Sequence, residues 1–287
     1  MGWNWATPYG AAGGVGAIEA VWLYIRYTTG RPEDRARVIS DAFNYLIMWA
    51  VANVIVGFIM SGTFFYTANW LAGIGGFSII QFNGNIGAYI GGIGSSLEGL
   101  WHNTYNDWLA YWSAVTVFKA ISSIGSGIFS INPSAFADWV QNYAWSYSTG
   151  VNWFLFDLAF LYGTWIIWRG LYYTGAWIWG LSLIVPKTTR PIGAGLTIAF
   201  LVLSISMPVL TGIANYIEHN YVFPIPPSPC SLSQFTSNAT ECITKLIVYG
   251  VNAVASYFKF AFNLPYYGFE LMAWDAVLDV IYILIAG

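Results

Sequence analysis

Long apolar runs separated by short polar stretches dominate the pattern of this chain. A membrane-spanning helix needs about 20 mostly apolar residues, because the hydrocarbon core of a bilayer is about 30 Å thick. Runs of suitable length cover residues 9–27, 42–66, 70–96, 108–131, 150–169, 191–214, 243–262 and 267–286. The pattern predicts an all-α, polytopic membrane helix bundle of about 6–8 transmembrane helices, with residues 1–287 forming a single transmembrane domain.

The run 70–96 differs from the others because polar residues interrupt it. Between Asp41 and Glu98 there is no charged residue, which leaves room for two helices and a turn. The second half nevertheless contains amide side chains, at Gln81, Asn83 and Asn85. Non-helical backbone at membrane depth persists only where it is buried in protein or lines a cavity. Two alternatives stay open for this run: a full span, and a re-entrant segment that enters and leaves on one side.

The composition supports a membrane location. Hydrophobic residues make up 57% of the chain and charged residues only 8%, whereas soluble domains carry about 25% charged residues. The 16 Trp and 20 Tyr suit the two membrane–water interfaces, where aromatic residues concentrate. We therefore predict a multi-pass protein of the cell (plasma) membrane that contacts the lipid bilayer.

The basic residues predict which connections face the cytoplasm. Arginine and lysine occur in residues 28–41 and 170–190 but not in residues 215–242. Because cytoplasmic loops carry an excess of Lys and Arg, the first two segments are predicted to be cytoplasmic and the third extracellular. The segment 170–190 is too short for a confident span, so we expect it to lie in the interface or to form half of a hairpin. Lys187 and Arg190 would anchor its end at the membrane surface.

The predicted extracellular loop carries two modification signals. Cys230 and Cys242 are the only cysteines of the chain, and eleven residues separate them. Disulfides persist in oxidising compartments, so this pair predicts a disulfide, with two free thiols as the alternative. Asn238 begins an Asn-Ala-Thr sequence, which is an acceptor for N-glycosylation in that compartment.

Charged residues inside predicted spans are the candidate functional residues, because burying a charge in a bilayer is costly. We single out six of them: Lys119, Asp157, Lys259, Glu270, Asp275 and Asp279. They are candidates for an ion or proton path or a polar channel lining. The structural alternative is a set of charge-paired contacts or a solvated face at an oligomer interface.

Spacing suggests which of these residues meet. Lys119 and Asp157 each lie near the middle of a span and would pair if their helices were neighbours. Lys259 and Glu270 lie at similar distances from the turn between the last two runs. Asp275 and Asp279 are four residues apart and share a helix face. Two acids that close repel, unless one holds a proton or both face water or a partner subunit.

Several chemistries find no support in the sequence. The chain has two histidines, His102 and His219, which argues against haem or copper ligation within one chain. It contains no Walker loop, no dinucleotide fingerprint, no HExxH sequence and no plausible Ser/His/Asp set. We therefore expect no enzyme activity, no cofactor and no metal site.

The stretch "VPKTTRPIGAGLTIAF" at residues 185–200, followed by Pro208, resembles a recurrent feature of archaeal polytopic membrane proteins of the DNA-import (Ced) machinery. Those proteins are similar to TrbL-type inner-membrane subunits of type IV secretion and conjugation systems. The resemblance covers roughly residues 150–287. It implies a channel or scaffold subunit in an oligomer, working with a cytoplasmic hexameric ATPase and small membrane or pilin-like subunits, with DNA only as translocated cargo.

One feature departs from that implication. Phosphate contacts dominate nucleic-acid affinity, yet the predicted spans carry only three lysines, at Lys119, Lys245 and Lys259. Two other functions therefore stay open. One is an ion or small-solute transporter that uses the intramembrane Asp and Lys residues. The other is a structural membrane protein of a viral envelope or a pilus base.

Overall fold

The computed structural model describes residues 6–74, 80–125, 138, 142, 145–222 and 264–286. These residues form eight α-helices and no β-strand, which confirms the all-α class for this part of the chain. The helices are α1 (Ala6–Thr29), α2 (Pro32–Met60), α3 (Thr63–Ile74), α4 (Ile86–Gly125), α5 (Trp145–Tyr173), α6 (Ala176–Ile184), α7 (Arg190–Tyr221) and α8 (Leu264–Ala286).

Three of these helices are long and apolar enough to cross a membrane, namely α2, α5 and α7. They contain most or all of the predicted runs 42–66, 150–169 and 191–214. Large apolar side chains on these helices are exposed, among them Phe43, Trp49, Phe156 and Ile198. Such a surface suits lipid better than water. The predicted run 243–262 lies outside the described residues.

The chain divides into two compact units. The first contains residues 1–94 and 163–212, and the second contains residues 95–162 and 213–287. Helices α4, α5 and α7 each contribute residues to both units. Within the first unit, α6 packs against α1 and α2, and α2 also packs against α1 and α3.

The predicted connection 28–41 is mostly helical. Only Gly30 and Arg31 separate α1 from α2. Pro32 is the first residue of α2, where its fixed φ angle suits a helix start. Two acidic residues in the first turn interact favourably with the positive end of the helix dipole. A salt bridge of 3.6 Å between Arg26 and Asp41 links the two helices. Most charged residues of the segment 28–41 therefore lie in the first turns of α2. The cytoplasmic location of this segment stays a prediction.

The chain folds back on itself between α2 and α4. Helix α3 has 12 residues, about 18 Å, which is shorter than a bilayer core. Beyond it, Phe82 returns to the start of α3, where its ring stacks on Phe65 at 5.4 Å and meets Tyr66 at 4.8 Å. Gly62 adopts a φ of 75° beside Phe82, a conformation that glycine allows. A continuous helix over 70–96 is therefore wrong, and whether this run spans the membrane or is re-entrant stays open.

Helix α4 replaces a predicted break with 40 continuous residues, about 60 Å. Asn85 caps its start, because its side-chain oxygen accepts a hydrogen bond from the Ala88 N–H at 3.0 Å. The residues between the predicted runs 70–96 and 108–131 are helical. Polar side chains can end a membrane run without ending a helix, since helix propensity does not depend on hydrophobicity.

Helices α6 and α7 form a tight antiparallel hairpin. The Trp177 ring stacks on Phe200 at 5.2 Å, and a Cβ on Gly193 would lie 2.5 Å from the Gly180 carbonyl oxygen. Arg190 closes the hairpin, since its Nε donates to the Ile184 carbonyl at 3.1 Å. The segment 170–190 thus forms half of a hairpin, one of its two alternatives. Arg190 has a local structural contact beyond its predicted anchoring role.

The third predicted connection, residues 215–242, begins as helix. Helix α7 continues to Tyr221, so the first residues of that segment extend the helix rather than form a loop. Its later part, with Cys230, Asn238 and Cys242, lies outside the described residues. The disulfide and the glycosylation site therefore stay predictions.

Candidate functional site

The core face of α5 contains an acid. Val151, Phe154, Leu158 and Leu161 are buried at the three- and four-residue spacing of a helix stripe. Asp157 shares this face and is only 5% exposed. It lies twelve residues after the first residue of α5, near the middle of a helix that is long enough to span a membrane.

Helix α8 has the same arrangement. Leu271 and Leu278 are fully buried, and Asp275 between them is 5% exposed. Asp275 lies eleven residues from each end of α8, whose 23 residues extend about 34 Å. An acid at the centre of the buried stripe of each helix is unusual, because carboxylates are almost never fully buried unless they are paired.

Helices α5 and α8 cross with their backbones in contact. A Cβ built on Gly268 would lie 2.6 Å from the Ser146 carbonyl carbon and from the Tyr147 nitrogen. A Cβ on Gly150 would lie 3.0 Å from the Leu271 Cβ. Later residues of α5 thus meet later residues of α8, so the two helices run parallel through this contact.

This crossing places the two acids on facing helix stripes, about one turn apart along the axis. Asp157 follows Gly150 by seven residues, and Asp275 follows Gly268 by seven residues. Seven residues are nearly two helical turns, about 10.5 Å, so each carboxyl projects from the same face as its glycine. The charge of Asp275 interacts with that of Asp157 and with that of Asp279 on the next turn.

The buried carboxyls lack hydrogen-bond partners among the described residues. Oδ2 of Asp157 and both carboxyl oxygens of Asp275 are enclosed without a donor there. The hydroxyl of Thr104, in the same unit, is also buried without a described partner. An uncompensated buried carboxylate costs several kcal/mol. Both carboxyls are therefore candidates for binding a proton or another cation.

The remaining acids of α8 have different surroundings. Asp279 is exposed, one turn beyond Asp275, so the pair is not a uniformly solvated face. Glu270 accepts a hydrogen bond from the Tyr266 hydroxyl, four residues earlier. Its predicted partner Lys259 lies outside the described residues. The described part of the chain contains no group of three or more His, Cys, Asp or Glu side chains arranged to hold a metal ion.

The register of α4 and α5 does not favour the predicted Lys119–Asp157 pair. Residues 87 and 94 of α4 lie against residues 172 and 165 of α5, so these helices run antiparallel. Tyr111 meets Tyr147 at 5.8 Å. From this contact, position 119 lies eight residues in one direction and Asp157 ten residues in the other, about 27 Å apart along the axis. Asp275 takes the place of Lys119 as the neighbour of Asp157.

Sequence reasoning missed the two crossing glycines. The signal was a Gly-x6-Asp spacing present in both helices, at 150–157 and 268–275. Comparisons with protein-family models, curated proteins and solved structures find no match to this chain. The function is therefore argued from the geometry of the acidic pair.

Proposed function

We propose that this chain is a multi-pass plasma-membrane protein, with about 6–8 spans as its apolar runs suggest, that moves a small monovalent cation across the bilayer. The acidic pair formed by Asp157 and Asp275 is the binding site. The observation that supports this is the burial of both carboxyls on facing helix stripes with three oxygens lacking a described partner.

The physical reason lies in the cost of burying charge. Ionisable residues inside a membrane bundle are rare and mark ion or proton pathways. Two adjacent carboxylates in an apolar interior repel, and a bound positive charge removes that repulsion. The repulsion in the empty site therefore provides free energy for binding a cation.

Flux measurements in proteoliposomes test this proposal. Purified protein is reconstituted with an internal pH-sensitive dye, and proton flux and radioactive sodium or rubidium uptake are recorded at a set membrane potential. We expect flux above empty liposomes, and its loss in Asp157→Asn and in Asp275→Asn. Glu33→Gln, an exposed acid in the first turn of α2, is the control and keeps wild-type flux. Absence of all cation flux in wild-type protein would refute the proposal.

We propose DNA transfer as a second candidate function, because the motif at 185–200 resembles that of DNA-import subunits. In that role the chain is a channel or scaffold subunit of a homo-oligomer, working with a hexameric ATPase and small membrane or pilin-like subunits. Residues of the motif pack within the tight hairpin of α6 and α7. These contacts support a structural role for the motif more than a contact with DNA.

Genetic exchange tests the second candidate independently. Marker transfer is measured between cells that carry or lack this gene, with growth rate as the control for general membrane damage. Lost exchange with normal growth supports DNA transfer, and unchanged exchange removes it. A protein with neither cation flux nor an effect on exchange would fit the remaining alternative, a structural protein of an envelope or a pilus base.

A further inference from the structure

We infer that Gly150 and Gly268 are positioning residues that make Asp157 and Asp275 a single proton-binding pair; this inference rests on the proposed cation transport. It specifies the cation and identifies the backbone contact that creates the site. Neither glycine carries a functional group, so their contribution is purely geometric.

The first step is the closeness of the two backbones. At Gly268 the nearest atoms to an added Cβ are the Ser146 carbonyl carbon and the Tyr147 nitrogen, both at 2.6 Å. Backbone atoms cannot rotate away as a side chain can, so any larger residue would push α8 from α5. At Gly150 the nearest atom is the Leu271 Cβ at 3.0 Å, followed by the Gly268 carbonyl oxygen at 3.2 Å.

The second step is the phase of the helices. Each aspartate follows its glycine by seven residues, and α5 and α8 run parallel. Seven residues advance the side chain by nearly two full turns. The face that touches at the glycines is therefore the face that carries the acids. Because Gly268 lies against Tyr147 and Gly150 against Leu271, the two acids are about three residues, or about 4.5 Å, apart along the axis. Separation at the glycines would also separate the carboxyls.

The third step concerns the bound cation. Two carboxylates that interact in an apolar interior repel each other, and one proton on either carboxyl removes that repulsion without further ligands. Fully buried apolar residues flank the pair along the helices, with Phe154 and Leu158 on α5 and Leu271 and Leu278 on α8. Within these apolar surroundings a proton is the cation that we assign to the pair.

Other titratable groups lie on the helices of this unit and must be considered in any pH response. On the described part of the unit they are Glu98, His102, Asp107, Lys119, Asp138, Glu218, His219, Glu270 and Asp279, together with tyrosines. Among them, Asp279 is the acid whose charge interacts with both members of the pair. Asp279→Asn therefore serves as a separate variant in the pH measurement.

The experiment compares three glycine variants in proteoliposomes. Gly268→Ala and Gly150→Ala separate the pair, whereas Gly163→Ala, on the same α5 helix with no atom within 4 Å of its Cβ, does not. We expect the first two to move the pH of half-maximal proton flux by about one pH unit and Gly163→Ala to leave it unchanged. Flux is measured with choline as the only other cation, and thermal stability in detergent is recorded for every variant.

The outcomes separate this inference from the function on which it rests. Wild-type flux that Asp157→Asn abolishes, with the pH profile unchanged in both glycine variants, would overturn the positioning role alone. A requirement for sodium or potassium would overturn the proton assignment and leave cation transport intact. Should Gly268→Ala fail to fold, Gly150→Ala decides the question, because its nearest contact is a side-chain atom. A shift that Asp279→Asn reproduces in full would move the assignment from the pair to Asp279.

Discussion

The indole nitrogen of Trp165 donates a hydrogen bond to the main-chain carbonyl of Ile90 at 2.7 Å. The contact crosses from α5 to α4 and is buried. The indole can reach the Ile90 carbonyl because Gly94, one turn further along α4, has no side chain. A Cβ on Gly94 would collide with the Trp165 ring. The Ile90 carbonyl, which lies inside α4, thus accepts a hydrogen bond from the indole in addition to its helical one, and Gly94 leaves the room for it.

We predict that Gly94→Ala destabilises the protein by about 1–3 kcal/mol, since the added methyl forces the Trp165 ring from its position. Gly91→Ala is the control, because a Cβ on Gly91 meets nothing within 4 Å. Alanine is the better helix former, so this control should be neutral or stabilise by up to about 1 kcal/mol. Unfolding in mixed detergent micelles measures both, and equal effects would contradict the packing explanation.

A second prediction concerns the bond between α5 and α7. The Trp168 Nε1–H donates to the Ser204 hydroxyl at 2.8 Å, and that hydroxyl donates to the Phe200 carbonyl at 2.7 Å. Ser204→Ala would leave the buried indole N–H unpaired, which costs about 1–3 kcal/mol. Ser182→Ala, which removes only a bond within α6, should cost less. A double-mutant cycle with Trp168→Phe that shows no coupling would contradict the bond.

The fold-back between α2 and α4 provides a third prediction. Gly62 and Gly84 both have positive φ, 75° and 89°, but only Gly62 lies against a ring, with Phe82 2.8 Å from an added Cβ. Gly84→Ala should cost about 1–2 kcal/mol from the backbone alone. Gly62→Ala should cost more, and Gly57→Ala in α2, with open space around it, should cost nothing. Limited proteolysis near residue 80 and thermal unfolding measure the order of the three.

A fourth prediction separates stability from function at the acidic pair. Asp275→Leu places an apolar side chain between Leu271 and Leu278 and removes a buried carboxyl that has no described partner, and replacing buried ionic groups with apolar residues of similar volume is often neutral or stabilising, by up to about 4 kcal/mol. We expect a higher unfolding temperature together with lost cation flux. Asp279→Asn, on the exposed face of α8, should change stability little. Lower stability of Asp275→Leu would indicate that Asp275 has a partner in the native protein.

Much of the helical content was predictable because length and apolar pattern determine it locally. The runs 42–66, 150–169 and 191–214 are helices, with different ends from those predicted. The run 70–96 was wrong as a continuous helix, although its amides signalled the irregular backbone. The helix continues between the predicted runs 70–96 and 108–131, because the end of an apolar run need not be the end of a helix. A helix can continue from lipid into water, so hydropathy alone does not locate the ends of a helix.

The sequence singled out the two acids that the structure buries, but not their relation to each other. Burial cost identified Asp157, Asp275 and Asp279 as candidates. The choice of Lys119 as the partner of Asp157 relied on depth within assumed spans, whereas the neighbour is determined by helix register. That register depends on where the two backbones can touch. A glycine in one helix does not reveal it unless the contacting glycine in the other helix is also known.

The Gly-x6-Asp spacing has a consequence for how these two helices can vary. One residue inserted between Gly150 and Asp157 would rotate the carboxyl by about 100° around α5 and remove it from the face of α8. An insertion at the corresponding place in α8 would do the same to Asp275. Substitutions between glycine and aspartate keep this angular relation, but single-residue changes in length do not. The interval is therefore tolerant in composition and strict in length.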